Sequence, residues 1–398
     1  MKSSPLLPIF LIVLADILGL TIILPLLPFY AEKLGASPTA VGLLVSAFAL
    51  CQLLSGPFLG RWSDRIGRKP LLLLSQAGTL VSRLLLAWAG TLWLVYLARI
   101  IDGLTAGNLV LAQAYIADVT EPQHRTRAFG LIGISFGIGF LLGPAISGAL
   151  AGFGLAVPIL ASAGLSALSI VATAVLLPAH RPVESGAEGR RLSLLAWGEY
   201  LQFFRRPGLG RLLFQYFCFV MAFAGFVGGL ALFLERRLTW NGQPYHVREV
   251  SFVFAYAGLL GIAVQGVLGR LVRRFGEPAL VAAGFVAMAI GYGLLAGTYV
   301  LPLLLVSGAL AAFGNGVLRP SLTTLITHAV ARNEQGVVLG LNTSLQSVAQ
   351  IVAPAIAGLL IDHQLLGSWA LFCAGCAVVG LLAQRTATAP GKTAAASS

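Results

Sequence analysis

Asp16, Arg83, Arg99 and Asp102 stand inside stretches otherwise built from Leu, Ile, Val, Ala and Gly. An ionised side chain is costly in hydrocarbon, so such groups face the inside of a helix bundle and mark ion paths or proton relays. At ~1.5 Å per residue, Asp16 and Asp102 each lie roughly 15 Å into their stretches from opposite ends, which puts both near mid-depth. Arg99 and Asp102 are three residues apart and share a helix face, and Gln113 falls further along that face. An aspartate whose proton affinity depends on a movable arginine can take up and release a proton. The same two acids and two bases would equally serve as a self-neutralised lock among helices. The second half of the chain holds a single intramembrane charge, Arg319, followed by Pro320. It is placed either to line a cavity or to reach back to the surface by snorkelling. Gln215, Gln265, Asn315, Asn342, Gln346 and Gln350 are the expected polar contacts of an otherwise apolar substrate cavity, together with Arg83 and Gln113. Side chains of this kind also hydrogen-bond helices to one another.

The elements that must position these groups are membrane spans. Of the 398 residues, 58% are hydrophobic and only 10% charged, and mean hydropathy is +0.89; a soluble domain carries about 25% charged residues. Segments of ~20 residues fall at 6–28, 39–60, 71–90, 92–116, 128–152 and 155–177, then at 210–234, 250–272, 279–297, 301–327, 336–360 and 367–384. Twelve spans place both termini on one side. The net charge of +12 is distributed by side. The loops after the even-numbered spans and the termini hold most of the cations. The opposite face has Lys33, Arg236, Arg237 and Arg248, and Arg83, Arg99 and Arg319 lie within spans. The positive-inside rule puts both termini in the cytoplasm, so the basic charge sets topology and is not a nucleic-acid patch. The N-terminal apolar run has no small-residue cleavage site and reads as the first span. Cys51, Cys218, Cys373 and Cys376 sit in apolar helices and read as small hydrophobes, not redox or metal ligands.

The chain divides into an N-terminal six-helix bundle (1–178), a polar linker (179–209), a C-terminal bundle (210–385) and an Ala/Thr/Ser-rich tail (386–398) expected to be disordered. Aromatic and basic residues from Trp197 to Arg206 suggest an amphipathic surface helix within the linker. The bundles are repeats: Gly60-Arg61, Arg65 and Gly67 recur as Gly269-Arg270, Arg274 and Gly276, and Pro144-Ala145-Ile146 with Gly148 recurs as Pro354-Ala355-Ile356 with Gly358. Parallel repeats with a mid-depth site between them describe a secondary transporter.

Between the second and third spans lies Gly60-Arg61-Trp62-Ser63-Asp64-Arg65-Ile66-Gly67-Arg68-Lys69-Pro70. It is too charged for hydrocarbon and is expected as a tight loop, with Pro70 in the first turn of the next helix. Its pattern resembles the loop 2–3 motif of the major facilitator superfamily. Span five, with Gly139, Gly143, Pro144 and Gly148, resembles that family's antiporter motif, with Ser147 in place of its penultimate glycine. Arg99 in Leu97-Ala98-Arg99-Ile100-Ile101-Asp102-Gly103 resembles the span-four motif, whose arginine is implicated in proton coupling. Leu14-Ala15-Asp16, Ile116-Ala117-Asp118 and Phe233-Leu234-Glu235-Arg236 with Trp240-Asn241 are similar to the tetracycline/proton antiporter branch of the drug exporters. Where that branch carries acids in spans three and nine and a histidine in span eight, this chain has Ser82, Met288 and Gly261. The resemblance therefore implies a drug/proton antiporter without the groups that serve metal–tetracycline and proton handling there.

The resemblance further implies an all-α major facilitator fold of twelve transmembrane helices in two parallel six-helix repeats. Asp16, Arg99 and Asp102 would couple protons. Asp64, within Gly60, Asp64, Arg65, Gly67 and Arg68, would latch onto the start of span eleven at Asn333-Glu334-Gln335-Gly336 when the cytoplasmic side closes, with Arg68 and Asp118 as a supporting pair. A simpler arrangement has Asp64 neutralising Arg65 or Arg68 within its own loop. No Walker loop, metal-ligand cluster or catalytic triad is present in the sequence, which argues against an ATP-driven pump or an enzyme. The expected protein is a monomer in the bacterial inner membrane, without cofactor, exporting a small amphipathic compound against protons. Import or facilitated diffusion of a metabolite on the same fold is the alternative, and a non-transporting receptor or scaffold is a third reading with no use for the buried charges.

Overall fold

The computed structural model describes residues 6–120, 125–178, 202–206, 208–331 and 334–385. Most of the linker and the whole tail, and with them the 197–201 part of the expected surface helix, lie outside the described residues. The first repeat comprises α1 (Leu6–Lys33), α2 (Pro38–Ile66), α3 (Arg68–Ala87), α4 (Leu92–Leu104), α5 (Asn108–Val119), α6 (Arg125–Ala151) and α7 (Ala156–Leu176). The second comprises α8 (Leu209–Arg237), α9 (Val247–Phe275), α10 (Glu277–Leu295), α11 (Leu301–His328), α12 (Gln335–Asp362) and α13 (Leu366–Arg385). With α4 and α5 taken as one span, twelve helical segments among the described residues are long and apolar enough to cross a bilayer. A helix is the form such segments must take, because hydrocarbon offers no water to satisfy free backbone groups. A hairpin of β1 (Thr239–Trp240) and β2 (Gln243–Pro244) joins α8 to α9; Asn241 and Gly242 at its tip both have positive φ, the conformation a two-residue turn of this kind needs.

The charged island is not a loop. Helix α2 runs on through Ile66, α3 begins at Arg68, and Gly67 alone separates them. Gly67 has φ 99° and ψ 156°, a region open essentially only to glycine, and its N–H still reaches the Ser63 carbonyl at 3.1 Å. Gly276, its counterpart in the second repeat, has φ 75° and ψ 159° and donates to the Val272 carbonyl at 2.9 Å. Two one-residue turns of the same geometry at equivalent positions are the structural trace of the repeat.

The fourth span, expected as one helix over 92–116, is broken at Thr105–Gly107. Ser75 of α3 makes the break possible: its hydroxyl donates to the Thr105 carbonyl and accepts the Gly107 N–H at 3.0 Å. Gln113 thus stands on a separate helical piece, and the face shared with Arg99 does not continue to it.

The repeats meet along two equivalent crossings, α2 on α12 and α6 on α9. At one end they are tightly joined. A Cβ on Gly42 would overlap the Pro354 carbonyl, and one on Gly358 would overlap that of Pro38. Thr39 donates to Asp362 at 2.6 Å, Ser46 to the Ile351 carbonyl at 2.5 Å, and Arg236 pairs with Glu32 at 2.5 Å. Toward the end that carries Gly67 the same helices part: a Cβ at Gly56, Gly60, Gly133, Gly261, Gly266, Gly336 or Gly340 would meet nothing within 4 Å. The result is a V-shaped cleft, closed at the Pro38 end and open at the Gly67 end.

Replacing Gly67 with Ala is expected to cost about 1–3 kcal/mol, the strain of that backbone region, and to lower the melting temperature in detergent. Gly56→Ala, facing open space, is expected to leave it unchanged.

Candidate functional site

In the first repeat the buried charges form one network. Arg99 Nη1 pairs with Asp102 Oδ2 at 3.0 Å, and both residues are under a tenth exposed. The Arg99 guanidinium also lies over the Phe48 ring at 4.1 Å. Arg83, 4% exposed, donates to the Ser162 carbonyl at 2.8 Å, to the Ser166 hydroxyl, and at 3.5 Å to the main-chain carbonyl of Asp16. The carboxylates of Asp102 and Asp16 are its charge neighbours. Arg83 is therefore a tie between α1, α3 and α7, not part of a cavity wall as the sequence led us to expect.

Asp16 differs from the other three. Its side chain faces Ser169 and Gln76, yet Oδ1 is buried without a hydrogen-bond partner among the described residues, and so is Oε1 of Gln76. The Gln76 amide donates to the Ser169 hydroxyl, 2.8 Å away, and both side chains also reach the Asp16 carboxyl. An ionised carboxylate only accepts hydrogen bonds, whereas a protonated one supplies an O–H donor. A site with a surplus of acceptors can thus hold a proton on Asp16 and pair with it. Sequence reading missed Gln76, Ser162, Ser166 and Ser169, although the signal was there: Ser162, Ser166, Ser169 and Thr173 follow a 4-3-4 helical spacing, as Gln76, Thr79 and Arg83 follow 3-4.

The second repeat is sparser. Arg319 of α11 donates through Nη1 to Gln346 Oε1 of α12 at 3.1 Å and lies 5.6 and 6.0 Å from the Phe219 and Phe223 rings of α8. Gln346, Gln350 and Asn315 are half-buried, with Asn315 Oδ1 unpartnered among the described residues. Asn342 is buried with neither amide atom partnered among the described residues. Gln215 belongs to helix packing: it is 1% exposed and donates to the Gly380 carbonyl at 3.1 Å. Gln265 lines a cavity of about 400 Å³ at the open end, with Arg273, Glu277, Ser321 and Thr324.

At the α2–α3 turn, Arg68 joins Asp64 at 2.5 Å and Asp118 at 2.9 Å, and Arg65 is exposed. The start of α12 is held by a two-pronged pair in which both Arg206 Nη atoms reach Glu334 at 2.8 Å. That guanidinium keeps the Glu334 carboxyl below the usual carboxylate range. On α6, Gly139 and Gly143 press on Ile17 and Thr21 of α1, while Gly148, past Pro144, presses on Ser251 of α9. Thr21 donates to the Gly139 carbonyl at 2.8 Å.

Twelve apolar helices in two six-helix repeats, with ionised groups buried at mid-depth and a cleft between the repeats, make this a multi-pass integral membrane protein of the carrier type. The chain belongs to the Major Facilitator Superfamily, whose family model matches residues 9–298 and 245–397. It is 31% identical over 386 residues to a class D tetracycline resistance protein of Salmonella ordonez, covering 93% of each chain. It is 28% identical over 368 residues to multidrug resistance protein 2 of Bacillus subtilis strain 168, covering 89% of each. Among solved structures, the nucleoside transporter NupG superposes with a TM-score of 0.77 at 16% identity, over 96% of this chain and 99% of that one.

Replacing Arg83 with Met removes a buried cation whose partners cannot follow it. Such a loss costs about 3–5 kcal/mol, so the variant is expected to melt well below wild type in detergent. An unchanged melting temperature would show that Arg83 does not tie the bundle.

Proposed function

We propose that this protein is a proton-coupled secondary transporter that exports small amphipathic compounds or drugs by antiport with protons. The observation that carries the reading is Asp16, an acid at mid-depth with an unpartnered oxygen, set beside a network of two arginines and a second acid. The similarity to tetracycline and multidrug resistance proteins supports a drug-type substrate. Tetracycline itself is disfavoured. Ser82 spends its hydroxyl on the Ala98 carbonyl at 2.8 Å, Met288 is fully buried, and Gly261 has no side chain.

The positive-inside rule orients the chain with both termini and the Gly67 turn in the cytoplasm of a bacterial cell. The cleft then opens inward, and the Glu32–Arg236 and Thr39–Asp362 contacts close the periplasmic side. In this state Asp16 exchanges its proton with the cytoplasm while substrate enters the cleft. Closure of the Gly67 end and opening of the Pro38 end carry substrate outward, and Asp16 takes its next proton from the periplasm. Arg99 and Asp102 set the field in which it does so. On closure, Asp64 leaves Arg68 for the free N–H groups at the start of α12, a charge–helix contact worth up to ~2 kcal/mol. Arg68 and Asp118 steady the turn meanwhile. The functional units are the bundles 1–178 and 210–385, joined by the linker 179–209 and working as a monomer in the lipid bilayer.

Asp16→Asn is expected to abolish drug accumulation driven by a pH gradient in inverted vesicles, while equilibrium binding stays within about threefold of wild type. Wild-type coupling in this variant would remove Asp16 from the mechanism.

A further inference from the structure

The charges of the two repeats are not balanced alike. In the first, two acids sit among two arginines. In the second, Arg319 has no carboxylate within ion-pair distance among the described residues, and its one protein acceptor is the neutral Gln346. A guanidinium stays ionised and offers five N–H donors, so most of its donors have no acceptor among the described residues.

Snorkelling does not account for this arrangement. Measured from the open end, Phe219, Phe223 and Gln346 lie roughly 15–21 Å along their helices, and Arg319 itself about 14 Å. The guanidinium therefore points into the membrane interior instead of back to the surface. The helices that enclose it, α8 and α12, both touch the first repeat, and Arg319, Gln346 and Phe223 all keep part of their surface exposed. This places an unneutralised cation on the wall of the cleft, flanked by two aromatic rings and oriented by an amide.

We propose that Arg319 is the recognition point for the negatively charged group of the transported compound, and that the substrates of this carrier are organic anions with an aromatic or otherwise apolar body. The guanidinium fork binds a carboxylate or sulfonate through two parallel hydrogen bonds, and the partly exposed Phe223 ring receives the apolar part, with the fully buried Phe219 backing the guanidinium. Gln346 fixes the plane of the fork without consuming its charge, which a carboxylate in that position would do. The inference rests on the exporter reading for its biological meaning, but the binding it describes is testable separately.

The test uses three probes of one shape: 2-naphthoate, its uncharged methyl ester, and the cation 2-naphthylmethylammonium. Binding to the purified full-length protein is followed by quenching of intrinsic fluorescence, and movement is followed in inverted vesicles with and without a pH gradient. Wild type is expected to bind 2-naphthoate at least tenfold more tightly than either analogue. Arg319→Gln is expected to lose that preference while binding the ester as before, and Arg319→Lys, which keeps the charge but not the fork, to keep a weakened preference. Equal binding of the three probes by wild type, no binding of any, or an intact preference in Arg319→Gln would overturn the proposal. Gradient-driven movement of the ester or the cation without binding of the anion would overturn it and leave the exporter reading standing. Selective anion binding that depends on Arg319, with no gradient-driven movement of any probe, would support the recognition point and count against proton-coupled export.

Discussion

An ionised group inside a bilayer must find its counter-charge within the protein or face a water-filled space, and the architecture of this chain follows from that constraint. The first repeat answers it internally. Arg99 holds Asp102, and Arg83 is clamped by Ser162 and Ser166 with Asp16 beside it. The Arg83 contacts tie α1, α3 and α7 into one unit, with the α4 pair as its charge neighbour. Asp16 is the group among them whose charge can change, because Arg83 keeps the Ser162 carbonyl and the Ser166 hydroxyl as acceptors, and Asp102 as a charge neighbour, when Asp16 is protonated. Among the described residues the second repeat has no such internal set, and Arg319 stands against the cleft.

Movement between the repeats depends on close contact without side chains. Glycine at 42, 258 and 358 lets α2 approach α12 and α6 approach α9 until backbone meets backbone, and Gly148 admits the Ser251 side chain. Small residues at such crossings give van der Waals contact where hydrocarbon supplies no hydrophobic drive. The unfilled glycines toward the other end of the same helices, at 56, 60, 336 and 340, are the same kind of surface with nothing against it. A crossing that is glycine-lined along its whole length can be engaged at either end. That is the mechanical requirement for a two-state rocking motion with a site at mid-depth.

Much of this was legible in the sequence. Hydropathy placed the twelve spans, helical spacing paired Arg99 with Asp102, and the recurrence of Gly60-Arg61 and Pro144-Ala145-Ile146 revealed the repeat. The misreadings have two causes, hydrogen bonds to residues distant in sequence and a tight turn that a single glycine suffices to make. Ser75 permits the break in the fourth span by serving both exposed backbone groups. The charged island stays helical because one glycine suffices for the turn and Asp64 pairs with Arg68 across it. Gln215 resembled a cavity residue but has its partner on a helix far along the chain, at Gly380. The depth of the Arg319 head group could not be read either, since it depends on Gln346 of the next helix.

The central claim, that protonation drives a rocking of the two repeats about a mid-depth site, is tested most directly by distances at the two ends of the cleft. Spin labels at Gly60 and Gly340 report on the end that is open here, and labels at Phe153 and Trp240, both well exposed, on the closed end. The four native cysteines are replaced first. On moving between acid and alkaline buffer, the account predicts opposite shifts: one pair draws together as the other separates, with two discrete distances at each end. Distances that do not respond to pH, or that widen at both ends together, would contradict it.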